Sequence, residues 1–317
     1  MSAIAVSAFY KFVALPDFAA LRPPILDTCL RLGIRGSILL APEGINGTIA
    51  GEPERLAEAM AYLRSLPPFA DLESKESHAE AMPFGKMKVR LKKEIVTMGV
   101  PGVDPNVLVG SYVAPKDWNT LISDPDVLVI DTRNHFEVEA GTFAGAIDPE
   151  TMSFGEFPRY VETALANQKD RKIAMFCTGG IRCEKAVLYM ESLGMEHVVQ
   201  LDGGILRYFE EVGGRHYRGD CFVFDRRVAL TPALEEAGYA ECFNCRAVVS
   251  PLEQASPDYV VGPNDILQVQ LYGNQNFSLE LQVTRDGVVN FPQLGPIHVG
   301  GRSFSAVKQE IESRVSR

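Results

Sequence analysis

Cys177, Thr178, Gly179, Gly180, Ile181 and Arg182 form the stretch of this chain best suited to chemistry. A cysteine placed at a strand-to-helix turn sits where backbone N–H groups converge on a helix N-terminus. That field favours thiolate over thiol and would stabilise an added anionic atom on the sulfur. Gly179 and Gly180 permit the positive φ values that a tight cradle needs, and Arg182 closes the loop with a fixed cation. The plainer alternative is a buried structural cysteine followed by an ordinary turn. Cys183 reads two ways as well, as a thiol able to resolve an intermediate on Cys177 or as part of a buried helix face.

The flanking residues supply the turn. Lys172 to Phe176 reads as a short buried strand, and Ala186, Val187, Met190 and Leu193 recur at helical spacing after it. Upstream, Val127 to Ile130 is a continuous apolar run, as expected for a parallel strand covered on both faces. Asp131 and Arg133 follow at its C-terminal end, the edge where open α/β sheets bind ligands. His135 reads as a surface-loop residue, with a general base near the thiol as the alternative. Glu137 and Glu139 read as solvated helix residues. His197 to Leu201 predicts another strand, Asp202 to Ile205 a turn, and Leu206 to Val212 a helix. This repetition predicts a doubly wound α/β domain over residues 113–218.

Residues 1–98 carry a different order. Strands are expected at Ile4 to Leu15, Gly36 to Leu40 and Thr48 to Gly51, with a turn over Pro42 to Gly47. Helices are expected at Asp17 to Leu32, disturbed by Pro23 and Pro24, and at Pro53 to Leu66 with proline in its first turn. With a strand-rich ending, βαββαβ is the ferredoxin-like (acylphosphatase-like) α+β plan. In the last strand Lys86, Lys88, Arg90 and Lys92 alternate and so share one face, while Met87, Val89 and Leu91 point into a core. The basic row suits contact with phosphates, or equally an edge defended by lysines. Residues 99–112 have linker composition. Residues 219–258 hold Cys221, Cys242 and Cys245, and the Cys-x2-Cys pair offers two of four ligands for a zinc ion. Residues 259–317 form a small β-rich tail with short strand-like runs, a hairpin turn at Arg285-Asp286-Gly287 and a final amphipathic helix.

The 317 residues allow two or three domains, and the formal charge of −10 argues against a general nucleic-acid coat while leaving room for a local basic site. Six cysteines in this length suit a reducing compartment. The apolar opening lacks a basic n-region and is too short to span a bilayer. It reads as a strand of a cytoplasmic protein with no membrane partner.

The string CTGGIRCEKA resembles the signature of the rhodanese-like tRNA uridine hydroxylases, which form 5-hydroxyuridine at the wobble position. APEGINGTIAG resembles their N-terminal domain, and IDTRNHFEVEAGTFAGAI and LDGGI resemble rhodanese segments. The resemblance implies that Cys177 is the essential loop residue and Arg182 its anion-stabilising partner. It implies that the backbone of Thr178, Gly179, Gly180 and Ile181 forms the cradle, and that Asp131 and Arg133 pair and orient loops. It further implies tRNA as partner, with the N-terminal domain as a contact, and molecular oxygen as co-substrate. No nucleotide or flavin motif and no iron triad is visible to activate that oxygen. Relatives carry further cysteines downstream, whereas none follows Cys245 here. The same loop also suits a sulfurtransferase carrying a persulfide on Cys177. From about Tyr259 the chain resembles the start of a polysaccharide-export domain, which implies a third reading, an envelope export component.

Overall fold

The glycine-rich string after Pro42 is the place where the fold departs most from its sequence pattern. A computed structural model describes residues 4–107, 110–241, 248–249, 258–271, 277–292 and 294–315. In it the N-terminal elements are β1 (Ile4–Phe12), α1 (Phe18–Arg31), β2 (Arg35–Ala41), β3 (Gly44–Gly51), α2 (Pro53–Ser65), β4 (Lys75–Ala79) and β5 (Met87–Leu91). The turn is only Pro42 and Glu43, and β3 begins at Gly44 rather than Thr48. Glycine is needed inside this strand because a Cβ at Gly44 would lie 2.1 Å from the Lys11 carbonyl oxygen, and one at Gly47 would lie 2.9 Å from the Phe9 ring. Asn46 donates to the Ile95 carbonyl at 3.0 Å, a structural bond. The sheet order β4-β1-β3-β2-β5 is the ferredoxin-like arrangement with β5 added parallel to β2 at the edge.

Helices α1 and α2 cover one face of this sheet over a core that includes Phe9, Ile25, Ile38, Leu40, Ile49, Leu56 and Leu63. Helix α1 runs on through Pro23 and Pro24, and its next turns bury Ile25 and Cys29. On the other face, pairing registers align Lys88, Ser37, Thr48, Ala8 and Lys75 in one row across all five strands. Leu91 is 41% exposed instead of entering the core, because it ends an edge strand, whereas Met87 and Val89 are buried.

The second array comprises β6 (Ser111–Val113), α3 (Pro115–Ile122), β7 (Val127–Asp131), α4 (His135–Val138), β8 (Gly141–Phe143), α5 (Phe157–Ala164), β9 (Lys172–Phe176), α6 (Ile181–Ser192), β10 (Val198–Leu201) and α7 (Gly204–Val212). Its parallel sheet has the order β6-β10-β9-β7. One face packs on α5 and α6 through Phe157, Val161, Val187 and Met190. The other packs on α3 and α7 through Trp118, Ile205 and Phe209, so the sheet is doubly wound. The stretch with linker composition is anchored at both ends, since Val100 and Val103 pack on the α5–α6 core and Ser111 opens β6.

Strand β11 (Tyr217–Gly219) pairs with β8, and β12 (Cys221–Phe222) pairs with β13 (Ala229–Leu230). Arg227, buried against Asp225, also donates to the Ser77 hydroxyl at 2.8 Å and the His78 carbonyl at 3.2 Å, which ties this segment to β4. Residues 1–240 thereby form one compact unit.

Residues 241–317 form a second unit. Beyond β13 come β14 (Ala240–Glu241), β15 (Val248–Val249), β16 (Ile266–Leu271), β17 (Phe277–Gln282), β18 (Val288–Phe291), β19 (Gly295–His298) and α8 (Phe304–Val315). Strands β16 and β17 form one antiparallel pair and β18 and β19 another. The turn at Arg285 to Gly287 is present, with the Gly287 N–H donating to the Thr284 carbonyl at 3.0 Å and φ of 72° at the glycine. The core of this unit is apolar, including Val261, Leu281, Val289, Ile297, Val307 and Ile311. Among the described residues no helix is long and apolar enough to cross a membrane.

Candidate active site

Strand β9 delivers Cys177 to the carboxyl edge of the sheet, and the sulfur is almost wholly enclosed, with the residue 1% exposed. The Gly180 N–H donates to its Sγ at 3.1 Å. Only Gly180 of the two glycines takes a positive φ, 103°, and a Cβ there would also lie 2.7 Å from the Tyr10 hydroxyl. The loop is held from behind by α7. The Ile205 N–H donates to the Cys177 carbonyl at 3.0 Å and the Leu206 N–H to the Thr178 carbonyl at 3.1 Å. Gly204 permits this approach, because a Cβ there would lie 2.6 Å from the Cys177 oxygen. With its carbonyls bound to α7, the loop presents its N–H groups to the sulfur.

Burial by itself would push the Cys177 thiol up. A hydrogen bond from Cys183, the Arg182 charge and the N–H groups of Arg182 and Gly180 outweigh it and hold the thiol down at about 6. Cys183 moves the other way, pushed well above the ordinary thiol range by burial and by the neighbouring sulfur. Cys183 thus stays protonated and acts as the donor of the pair. Its own Sγ lies 3.5 Å from the Thr132 hydroxyl.

Arg182 is not free. Its Nη2 lies 2.8 Å from Glu137 Oε2, and both its terminal nitrogens donate to Oε1 at 3.1 and 3.2 Å. Glu137 is fully buried, which corrects its expected place on a solvated face. Helix α4 is a single turn, and the carboxylate folds inward to accept the Asn134 N–H at 3.0 Å and to hold the guanidinium. Glu139 is exposed. Asp131 and Arg133 form a buried pair, with Nη2 2.6 Å from Oδ2 and Nε 2.9 Å from Oδ1. Arg133 further donates to the carbonyls of Glu137 and Gly141, and Thr142 donates to Asp131. This pair joins β7, α4 and β8. His135 pairs with Asp148 at 2.7 Å, and that bond raises its pKa.

Residues that sequence reasoning missed come from the polar side of α6 and from the other sheet. Glu184 accepts from the Tyr10 hydroxyl at 3.1 Å and the Tyr112 hydroxyl at 2.7 Å. Lys185, 2% exposed, reaches Glu43 at 2.8 Å and Glu94 at 2.6 Å and donates to the Val96 carbonyl at 3.1 Å. Glu43 belongs to the APEGING string and Lys185 to the CEKA string, so two motifs read separately meet in one ion pair. A cleft of about 420 Å³ opens beside them, lined by Tyr10, Lys75, Tyr112, Glu184 and Arg207 among others. A smaller cavity of about 80 Å³ adjoins Thr178, Lys75 and Phe224.

Lys86, Lys88, Arg90 and Lys92 line neither cavity. They lie on and beside the edge strand β5, with Lys88 on the face opposite α1 and α2. Cys221 is fully buried, and that burial pushes its thiol up to about 12. Cys242 and Cys245 lie outside the described residues, and no metal-holding cluster occurs among the described residues. Chemically, the loop can hold a thiolate and stabilise an electronegative atom placed on it.

Residues 4–95 match the family described as UPF0176 acylphosphatase like domain, residues 114–211 the Rhodanese-like domain, and residues 253–317 the Polysaccharide biosynthesis/export protein family. The tRNA uridine(34) hydroxylase of Teredinibacter turnerae is 52% identical over 264 residues, 83% of this chain and 82% of that protein. Among solved structures, a rhodanese-related protein from Thermoplasma volcanium is 27% identical over 32% of this chain and 93% of its own, with a TM-score of 0.27. An acylphosphatase from Coxiella burnetii is 12% identical over 28% of this chain and 94% of its own, with a TM-score of 0.23.

Proposed function

The chain belongs to the tRNA uridine(34) hydroxylase family, and from that premise we propose that Cys177 is the reactive residue in the oxygen-dependent conversion of the wobble uridine of tRNA to 5-hydroxyuridine. The observation that carries this reading is the Gly180 N–H on the Cys177 sulfur, in a loop that holds the thiol at about 6. A thiolate is present at neutral pH without a separate base. The N–H groups of Gly180 and Arg182 and the Arg182 charge stabilise an anionic atom built on or beside that sulfur. Glu137 fixes the guanidinium, and the Asp131–Arg133 pair holds the loops behind it. Molecular oxygen is the co-substrate in this reading, and Lys86, Lys88, Arg90 and Lys92 contact tRNA phosphates. The site of action is the cytoplasm, where tRNA is found.

A sulfurtransferase carrying a persulfide on Cys177 would use the same cradle, so the test separates the two. In a strain lacking 5-hydroxyuridine, wild type restores the nucleoside in tRNA as read by mass spectrometry, and Cys177→Ser does not. Restoration by Cys177→Ser defeats the assignment. Thiocyanate release from thiosulfate and cyanide, without 5-hydroxyuridine in tRNA, would favour the sulfurtransferase.

A further inference from the structure

Most buried cations in residues 1–240 have a carboxylate beside them. Arg133 has Asp131, Arg182 has Glu137, Lys185 has Glu43 and Glu94, and Arg227 has Asp225. Lys75, which is half-buried, differs. It sits on β4 on the sheet face opposite α1 and α2, with its ammonium 5.5 Å from the centre of the Tyr10 ring. Among the described residues it makes no hydrogen bond, and no carboxylate oxygen lies within 4.0 Å of it. Burial therefore pulls its pKa down, opposed by the Cys177 sulfur and by Glu210. Glu210, exposed on α7, has no ion-pair partner within 4.0 Å among the described residues, and it feels the charge of Lys75. Both residues line both cavities. They stand at the seam between the cleft and the reactive loop, close enough to influence each other but not joined.

We propose that Lys75 and Glu210 read the edge of the wobble pyrimidine, Lys75 donating to the uracil O4 and Glu210 accepting its N3–H. This rests on the function proposed above and adds how the base is chosen. Uracil presents an acceptor, O4, next to a donor, N3–H. Cytosine presents the reverse, an amine next to a bare ring nitrogen. An ammonium beside a carboxylate complements the first pattern and opposes the second. An enzyme that reacts at a base must take it out of the stack and can then read this edge. The cleft has the size for a nucleotide. Its aromatic walls, Tyr10, Phe12 and Tyr112, suit a splayed base. Asp71 and Asp202 line it already paired with Lys11 and Arg207, so these charges cancel and the wall suits a neutral base. C5 is two bonds from O4, so a base held through O4 on Lys75 keeps its reacting carbon near the cation that senses Cys177.

The test measures binding of the full-length protein to a fluorescent anticodon stem–loop carrying uridine, cytidine or 3-methyluridine at the wobble position. Wild type is expected to prefer uridine over both others by about tenfold or more, the scale of a good two-bond edge contact. Lys75→Met and Glu210→Met are each expected to bring uridine down to the cytidine level while changing cytidine binding less than twofold. Lys75→Arg, which keeps the donor and charge, is expected to retain part of the preference. Equal weakening of all three loops by Lys75→Met and Glu210→Met, as a phosphate contact or a folding defect would give, overturns the proposal. So does an intact preference in both. A wild type that makes 5-hydroxyuridine yet binds the three loops alike overturns the edge reading alone. A wild type that makes none defeats the parent function in the nucleoside assay instead.

Discussion

Around Cys177 the chain buries Arg133 against Asp131, Arg182 against Glu137 and Lys185 against Glu43 and Glu94, whereas between residues 258 and 315 the described core is apolar, with Val261, Val289, Phe291, Ile297 and Val307 among its members. Apolar packing stabilises a fold at no desolvation penalty. A buried ion pair seldom stabilises more than apolar residues of the same volume would, yet breaking one is costly. The first interior therefore carries something beyond folding, namely a fixed field around an ionised sulfur. The second carries what a fold needs.

The sharpest way to break this contrast is Glu137→Ala. It leaves Arg182 buried with no counter-charge, and about 3–5 kcal/mol of stability should be lost in a denaturant melt. Formation of 5-hydroxyuridine should fall on the order of a hundredfold, the usual result of losing one element of an anion-stabilising site. Unchanged activity would remove the buried pair from the chemistry. A finer test follows the sulfur itself. The absorbance at 240 nm of wild type minus Cys177→Ser should titrate with a midpoint near the value of about 6, not near the ordinary 9. The folded value is the lower one, so the thiolate's stabilisation is fully present only above about pH 9 and is lost as pH falls through about 6. Cys177→Ser should accordingly be more destabilising relative to wild type at pH 9 than at pH 5.5. The smallest effect on activity belongs to the second unit. Phe291→Ala, at a buried site in its core, should cost that unit about 3–5 kcal/mol while hydroxylation stays within twofold. A large loss of activity would mean the apolar unit shares in the reaction.

The parts of the site that depend on neighbours in the chain were legible beforehand. A strand, a glycine turn and a helix around Cys177 follow from apolar spacing, and Asp131 and Arg133 are two residues apart. Glu137 was not legible, since a glutamate in a short helix looks solvated until Arg182, 45 positions away, is known to sit over it. Lys185 has the same difficulty, with its partners on another sheet. Glycines misled in β3, where they mark close strand approach rather than a turn. In β5 the alternation correctly set Lys88 apart from Met87 and Val89, but it could not show that Leu91 lies past the end of the cover. Periodicity reports which face a residue is on. It does not report where that face stops.

The Lys185 contacts have a mechanical consequence. One lysine on the helix that follows the reactive loop grips Glu43 at the β2–β3 turn and Glu94 just past β5, so the spacing between the two sheets is pinned close to the cleft. The jaws are those of a caliper set to one width. Closing them around a substrate would require tearing out a buried ammonium, so under the base-edge reading proposed above adaptation falls to the RNA, whose anticodon loop splays its own base into a gap of fixed gauge.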